Sequence, residues 1–431
     1  MKKLSISTLL VLFFLGMALL HAAEPWETQL NDLSKPQLWL QHITPPAVTA
    51  DALDESIEGM RIYYQNHQLP EGNFRYGLDM TDDIEIDDDN AVRQAGALWG
   101  LALLNRERFT ENTRRQLLLG LDFFIRAMRP VQDGAQMVVT YQSSRKIKTG
   151  MVALFCLAIT DFLEAQDNYM TEEQCAPYID ALCKNLKYLR SIEMDDGSWL
   201  EMYDHSVSEE ERAAMADSSP YFDGEALLAY LTALRYFRKH PGITAPEGLQ
   251  SRVEFALPRL IKKYAVDALA PEGDEAQAKG FYQWGAMSCA LFCEDYPQSP
   301  LAQIAARGTL ALTWWQIYDN RVEYREGNTG YAVEGLVAAW RIAKQYGHDD
   351  YAKTIRKTIE NIMAKLLTWQ VGTDAGTHNP FLKYWSEKGC SKRAFGGVLA
   401  AQNSGFIRID NVQHQLHATL LARKYLFSDA N

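Results

Sequence analysis

Beyond its first 23 residues, the sequence has no apolar run long enough to cross a membrane, and it has few segments with the alternation typical of β-strands. No later segment reaches about eighteen consecutive apolar residues, which a membrane-spanning helix needs. It has neither a CxxC nor an HExxH motif, and no glycine-rich phosphate loop follows a strand. The sequence therefore predicts no stable membrane insertion, no metal site and no cofactor.

Positive charge is also scarce, because 43 lysines and arginines face 55 acidic residues and leave a net charge of −12. Such a surface disfavours nucleic acids and anionic membranes as partners. The 431 residues are 47% hydrophobic, which excludes a disordered or fibrous chain. Of the six cysteines, Cys156, Cys289 and Cys293 lie in apolar helical segments, where a buried free thiol is the common state.

The N-terminus has the pattern of a secretory signal peptide. Lys2 and Lys3 precede an apolar run over residues 9–20, and Ala22 and Ala23 offer a cleavage point. We expect a signal peptide over 1–23, an extension over 24–50 and one domain over 51–431. The mature protein is therefore expected to be secreted or periplasmic.

Helical periodicity dominates the remaining chain. Apolar residues recur at i, i+3, i+4 and i+7 in twelve segments of about twenty residues. These segments are 51–67, 89–106, 110–129, 148–166, 171–192, 222–240, 247–265, 277–294, 298–318, 328–346, 349–370 and 411–427. Short and long connections alternate between them, which predicts an all-α fold of six helical hairpins closing into a ring.

The two sets of segments differ in composition. The even-numbered ones are rich in glycine and alanine, as in "RQAGALWGLALL" and "DGEALLAYLTAL", which suits closely packed inner helices. The odd-numbered ones carry a charged stripe beside an apolar one, as expected of an outer, solvated layer. The ring is therefore predicted to have its inner wall formed by the even-numbered helices.

The stretch "RIDNVQHQLHA" places four polar groups at the start of the last inner helix. At about 100° per residue, Asp410, Gln413, His414 and His417 fall on one face, which continues as an apolar stripe. The segment 89–106 repeats this design with polar side chains at its start. Two such helices predict a shared polar pocket at the N-terminal ends of the inner helices, with aromatic residues from hairpin-like loops such as "GNFRYGLD", "DGSWLEMYD" and "NPFLKYW".

Convergent carboxylates, amides, cations and aromatic rings suit a carbohydrate, because aromatic rings stack on sugar faces and bidentate polar groups bind hydroxyls. The predicted catalytic residues are Glu225, Glu334, Asp410 and His414. The predicted substrate-binding residues are Asp89, Asn90, Arg93, Lys148, Trp199, Tyr221, Asp223, Tyr282, Trp284, Asn328, Tyr331, Gln413 and His417.

The six hairpins, together with "RQAG", "GEALLA" and "QHQLHA", resemble the (α/α)6 toroids shared by N-acylglucosamine 2-epimerase-like proteins, many inverting glycoside hydrolases and some polysaccharide lyases. The resemblance spans about residues 50–428. It implies an active site in the funnel at the mouths of the inner helices and an oligosaccharide or other small polar substrate. It does not select the reaction, because one fold hosts many functions.

Three chemistries stay open. Hydrolysis, which we prefer, needs two carboxylates, and the candidates are Glu225, Glu334, Asp223, Asp410 and Asp89. Epimerisation needs paired proton carriers, for which His414 and His417 are suited. Lyase chemistry needs a cation such as Arg93 or Lys148 to neutralise a uronate.

Structural roles compete with each of these assignments. Asp410 and Asp223 can cap helices, Arg93 can pair with Asp89 at i+4, and His417 can be a hydrogen-bonded core residue. A toroid that binds a glycan or peptide without turning it over is the alternative to an enzyme. The sequence leaves the oligomeric state open.

Overall fold

The computed structural model describes residues 43–131, 134, 136–142, 144–165, 170–214 and 216–428. The predicted signal peptide and most of the predicted extension lie outside these residues. Within them, no helix is both long and apolar enough to cross a membrane.

Helices make up most of the described chain. In chain order they are α1 (Ala50–His67), α2 (Ala91–Glu107), α3 (Glu111–Arg126), α4 (Thr149–Glu164), α5 (Glu172–Ser191), α6 (Glu209–Ala214), α7 (Pro220–Lys239), α8 (Leu249–Ile261), α9 (Glu275–Asp295), α10 (Pro300–Tyr318), α11 (Gly330–Gln345), α12 (Asp349–Leu367), α13 (Pro380–Lys388) and α14 (Ile409–Tyr425). A π-helical turn over Lys262–Asp267 extends α8. The twelve long helices match the twelve predicted segments.

The long helices form two concentric layers. In the inner layer α2, α4, α7, α9, α11 and α14 each pack on the next, and α14 packs back on α2 to close the ring. The outer helices α1, α3, α5, α8, α10 and α12 lie against α14, α2, α4, α7, α9 and α11 respectively. The prediction of a six-hairpin ring with the even-numbered segments inside is confirmed.

Burial explains this division. The inner helix α4 is buried at every position from Thr149 to Leu163, so it has no solvated face. The outer helix α12 buries one stripe that includes Ile355, Ile359 and Met363 and exposes the charged side. All six cysteines are unbridged, and Cys156, Cys289 and Cys293 are buried as predicted.

Short strands lie at the N-terminal ends of the inner helices. They are β1 (Gly77–Asp79), β2 (Ile84–Glu85), β3 (Met128–Val131), β4 (Gln136–Val139), β5 (Lys146–Lys148), β6 (Met202–Asp204) and β7 (Phe406–Arg408). All pairings among them are antiparallel, in the orders β2-β1-β7, β3-β4 and β5-β6. The register of β1 with β7 pairs Leu78 with Ile407 and so joins the first hairpin to the last.

One of the predicted hairpin-like loops is a helix. The segment "NPFLKYW" forms the start of α13, because Asn379 Oδ1 accepts a hydrogen bond from the Phe381 amide at 3.0 Å and Pro380 occupies the first helical position. The other two segments supply β1 and β6, as expected of strand-like loops.

Close packing of the inner helices gives a testable consequence at Gly224. A Cβ there would lie 2.5 Å from Trp284 Cβ and 3.1 Å from the Gly285 amide nitrogen on α9. We expect Gly224→Ala to lower the free energy of unfolding by about 1–3 kcal/mol, because overpacking outweighs the better helix propensity of alanine. Thermal unfolding followed by circular dichroism measures this. Gly242→Ala is the control, since no atom lies within 4 Å of its Cβ position; equal midpoints for the two variants would contradict the close approach.

Candidate active site

A buried carboxylate joins three inner helices. Glu334, on the second turn of α11, has a fully buried side chain. His414 Nδ1 on α14 lies 2.9 Å from Glu334 Oε1, and His417 Nδ1 lies 3.0 Å from Oε2. Gln283 Nε2 on α9 donates to Oε2 at 2.7 Å. Two imidazoles and one amide therefore provide hydrogen bonds to a carboxylate that has no exposed surface.

The ionisation of Glu334 follows from these partners. Burial raises its pKa, but the positive charge of His417 and His414 when they are protonated, together with their hydrogen bonds, outweighs burial and holds the pKa below its usual range. An ionised carboxylate only accepts hydrogen bonds, so both histidines present a protonated Nδ1 to it. A neutral imidazole held in this way keeps Nε2 as an acceptor.

Aromatic rings surround the two histidines. The Trp99 ring lies edge-on to His417 with centroids 4.8 Å apart. The rings of Trp284 and Tyr331 lie 6.2 and 6.4 Å from His414. The side chain of His414 is 21% exposed, against 7% for His417, so His414 is the more accessible member of the pair.

A second polar cluster lies at the rim. The Asp410 carboxylate accepts a hydrogen bond from Arg408 Nη2 at 2.9 Å and lies 3.1 Å from Arg93 Nε. Arg93 also donates to the Tyr76 hydroxyl and lies over its ring. Asp410 therefore does not cap α14, and Arg93 pairs with Asp410 rather than with Asp89. The cluster presents two guanidinium groups and the carboxylate of Asp410, which lies four residues before His414 on α14.

Glu225, on the second turn of α7, is a buried carboxyl of a different kind. Its Oε2 has no hydrogen-bond partner among the described residues. Burial alone raises its pKa well above the usual range. It packs against Gly150 on α4, where a Cβ would collide with Oε2. Tyr221, one turn earlier, is half-exposed at the mouth, and burial followed by the nearby Glu225 raises its pKa.

Several predicted site residues lie away from this pocket. Asp223 accepts hydrogen bonds from the Trp199 amide at 2.9 Å and the Tyr264 hydroxyl at 2.6 Å, and burial raises its pKa to about 6. Trp199 is fully buried, so it has no free face for a sugar. Tyr282 is also fully buried and its hydroxyl lies 3.2 Å from Thr313 Oγ1 on α10. These residues connect the inner layer to the outer one.

Other predicted site residues stabilise the segments that form the mouth. Asn90 Oδ1 caps α2 through the amides of Val92 and Arg93. Asp89 accepts hydrogen bonds from Gln94, Tyr141 and Gln142.

At the remaining inner helices, Asn328 Oδ1 accepts from the Gly330 amide at 2.9 Å and so organises the start of α11. Gln413 is buried between α14 and α2 beside Gly100. Lys148 is exposed at the end of β5.

The sequence interpretation missed Gln283, Trp99 and Arg408. Gln283 stands between the selected Tyr282 and Trp284, and its signal was an amide between two aromatic residues on a buried part of α9. Arg408 immediately precedes α14. Among the described residues, no three His, Cys, Asp or Glu side chains are grouped in a way that could hold a metal ion.

Comparison with known proteins identifies the architecture. No family model and no curated protein sequence matches the chain. A solved structure of a D-mannose isomerase matches with a TM-score of 0.58 and 13% identity, covering 87% of this chain and 97% of the other. The fold is an (α/α)6 toroid.

Two further structures share this toroid. Cellobiose 2-epimerase from Bacillus thermoamylovorans has a TM-score of 0.51 and 12% identity over 84% of this chain and 98% of its own. A family 76 α-mannanase from Bacteroides thetaiotaomicron has a TM-score of 0.56 and 9% identity over 87% and 96%. At these identities the likeness defines the fold alone.

The two buried glutamates should respond oppositely to pH. The raised pKa of Glu225 means that the folded state resists ionisation, so this group costs stability as pH rises above its ordinary pKa of 4.5. The lowered pKa of Glu334 means that its ionised form stabilises the fold above that pH and that this contribution is lost as pH falls. Relative to the wild type, Glu225→Gln should therefore gain in melting temperature between about pH 5 and pH 8, whereas Glu334→Gln should be destabilised at about pH 7.

Differential scanning calorimetry across this range measures both differences. The two variants are matched controls, since each replaces one buried carboxyl by an amide of the same shape. A pH-independent difference for Glu225→Gln would show that this carboxyl is not held neutral by burial.

Proposed function

We propose that this protein is a carbohydrate-active enzyme that moves a proton on its substrate, as a sugar isomerase or epimerase does, with His414 as general base and acid. The observation that supports this proposal is the pair of hydrogen bonds from His414 and His417 to Glu334. The sequence alone favoured hydrolysis by paired carboxylates. The geometry favours proton transfer instead, because Glu334 is enclosed by its partners and serves to orient imidazoles rather than to touch a sugar.

The proposed mechanism uses His414 in its neutral form. Its Nδ1 keeps its proton and donates it in the hydrogen bond to the ionised Glu334, and Nε2 takes the proton from the carbon beside the carbonyl of an open-chain sugar. The ionised Glu334 stabilises the resulting imidazolium, as a carboxylate does behind a catalytic histidine. Loss of the carbon-bound proton leaves an enediolate. Return of this proton to the former carbonyl carbon, with the hydroxyl proton passing from one oxygen to the other, gives isomerisation. Delivery of a proton to the opposite face of the original carbon by a second carrier restores the carbonyl and gives epimerisation.

Substrate positioning is assigned to the rim. Asp410 and His414 are four residues apart on α14, so their Cβ atoms lie about 5–6 Å apart. Asp410 with Arg93 and Arg408 can therefore bind hydroxyls of a sugar whose reacting carbon faces His414. Two of the compared structures are named as a sugar isomerase and a sugar epimerase, which supports this assignment. Export of the mature protein, from the predicted signal peptide, remains part of the proposal.

The test is deuterium exchange. Wild-type protein incubated in D2O with aldoses, ketoses and reducing disaccharides should introduce deuterium next to the carbonyl carbon, with formation of an isomer, as seen by proton NMR. We expect His414→Gln to lose about 10²- to 10⁴-fold in rate, the usual contribution of a general base. His348→Gln, at an exposed position before α12, is the control and should keep full activity. Activity retained by His414→Gln would refute its role.

Glycoside hydrolysis is the second candidate, and one observation favours it. Burial raises the pKa of Glu225 well above its usual range, which is the direction of shift that a general acid requires. Asp410 would then be the partner carboxylate, and the family 76 mannanase shows that the fold is shared with a hydrolase.

The product distinguishes the two candidates. Hydrolysis of neutral oligosaccharides would release new reducing ends and would be lost in Glu225→Gln, with His414→Gln less affected. Isomerisation would give no new reducing end and would be lost in His414→Gln. Stabilisation by a glycan without any product would instead support a binding protein.

A further inference from the structure

The toroid has a second opening, at the C-terminal ends of its inner helices. A cavity of about 470 Å³ lies there, within the range of about 300–1,000 Å³ typical of small-molecule sites. We call it the far cavity. Its wall runs from Trp99, Glu334 and His417 at the inner end to Arg106, Arg341 and Lys424 near the helix ends. It is therefore separate from the mouth, although both reach Glu334.

An apolar belt forms the middle of the far cavity. It consists of Leu103, Leu228, Met287, Leu291, Leu420 and Leu421. Thr232 adds one hydroxyl to this wall, but the six apolar side chains offer no hydrogen-bond partner to a sugar, whose buried hydroxyls are costly to leave unpaired. The belt fits the apolar part of a ligand, and this distinguishes the far cavity from the polar mouth.

One side of the rim is cationic. Arg235 Nη2 lies 2.7 Å from Asp295 Oδ1 and 3.1 Å from Glu294 Oε2, and Arg341 pairs with Glu294 as well. Arg238 also pairs with Asp295. These three guanidinium groups face only two carboxylates, which leaves one positive charge uncompensated in the cluster. Arg235 and Arg341 line the far cavity, whereas their two acidic partners do not.

The acidic residues on the other side of the rim are each paired. Asp161 accepts the Trp99 indole N–H at 2.7 Å and pairs with Arg106. Glu164 lies 2.6 Å from Lys239 Nζ. Glu107 likewise pairs with Lys424 at 3.0 Å. Each of these acidic residues at the rim is therefore paired locally with a cation. The one uncompensated positive charge is shared by the cluster of Arg235, Arg238 and Arg341, of which Arg235 and Arg341 line the far cavity.

We propose that the far cavity binds an organic anion with an apolar body, such as a medium-chain carboxylate. The carboxylate pairs with Arg235 and Arg341, whose guanidinium groups are already oriented by Glu294 and Asp295. The body lies against the apolar belt and extends toward Trp99. This site does not depend on the chemistry assigned to the mouth.

Calorimetric titration with octanoate, and with octanamide as its uncharged analogue, tests the proposal. We expect saturable binding of one octanoate per chain, at least about tenfold tighter than octanamide. Arg341→Gln should remove most of this preference for the anion while octanamide binding is kept. Arg115→Gln, at a position 73% exposed on α3, is the matched control and should bind as the wild type does.

Leu421→Trp fills the belt and should abolish binding of both probes. Leu119→Trp, on the outer helix α3, controls for the added indole, and near-ultraviolet circular dichroism confirms that each variant is folded. Absence of saturable binding by the wild type would overturn the proposal, and so would equal affinity for the two probes. Unchanged binding in folded Leu421→Trp would place the ligand elsewhere; if this variant does not fold, Arg341→Gln decides.

Discussion

The buried charge of Glu334 constrains the rest of the site. Removing a carboxylate from water is costly, and the cost is offset only by well-placed donors. Here the carboxylate lies on α11 and its donors lie on α9 and α14. Each of these three inner helices must therefore be rotated about its axis so that its side chain faces the other two. Losing one partner of such a buried charge typically costs about 3–5 kcal/mol. Gln283, His414 and His417 therefore define the relative positions of these helices as well as the ionisation of Glu334.

The two ends of the ring differ because helices are polar objects. At the mouth, the inner helices present free amide groups and a partial positive charge, and polar side chains such as Asp410 and Asn90 lie there. At the opposite end the helices present carbonyl groups and a partial negative charge, and arginines and lysines lie there. The belt of the far cavity separates these two environments. A single ring can thus carry the proposed sugar site at one end and the proposed anion site at the other.

Periodicity and small-residue content were enough to predict the ring, its layers and the shared polar face of Asp410 and His414. Contacts between helices were not predictable, because Glu334 and His414 are 80 residues apart and nothing local fixes how two helices face each other. Asp223 and Glu225 illustrate this limit of prediction from the sequence. They are two residues apart, which is about 200° around a helix, so both cannot face the pocket. Glu225 faces α4, and Asp223 faces the outer layer.

The pairing of β1 with β7 brings the beginning of the ring to its end. During synthesis, five of the six hairpins can emerge and pack on their neighbours while the ring still has a gap. Both histidines that hold Glu334 lie on α14, the helix that fills this gap. In a nascent chain, Glu334 therefore lacks its two histidine partners until α14 has been made, and only Gln283 on α9 is available to it. The protein can acquire its proposed activity only at the last stage of its own folding, when the circle closes.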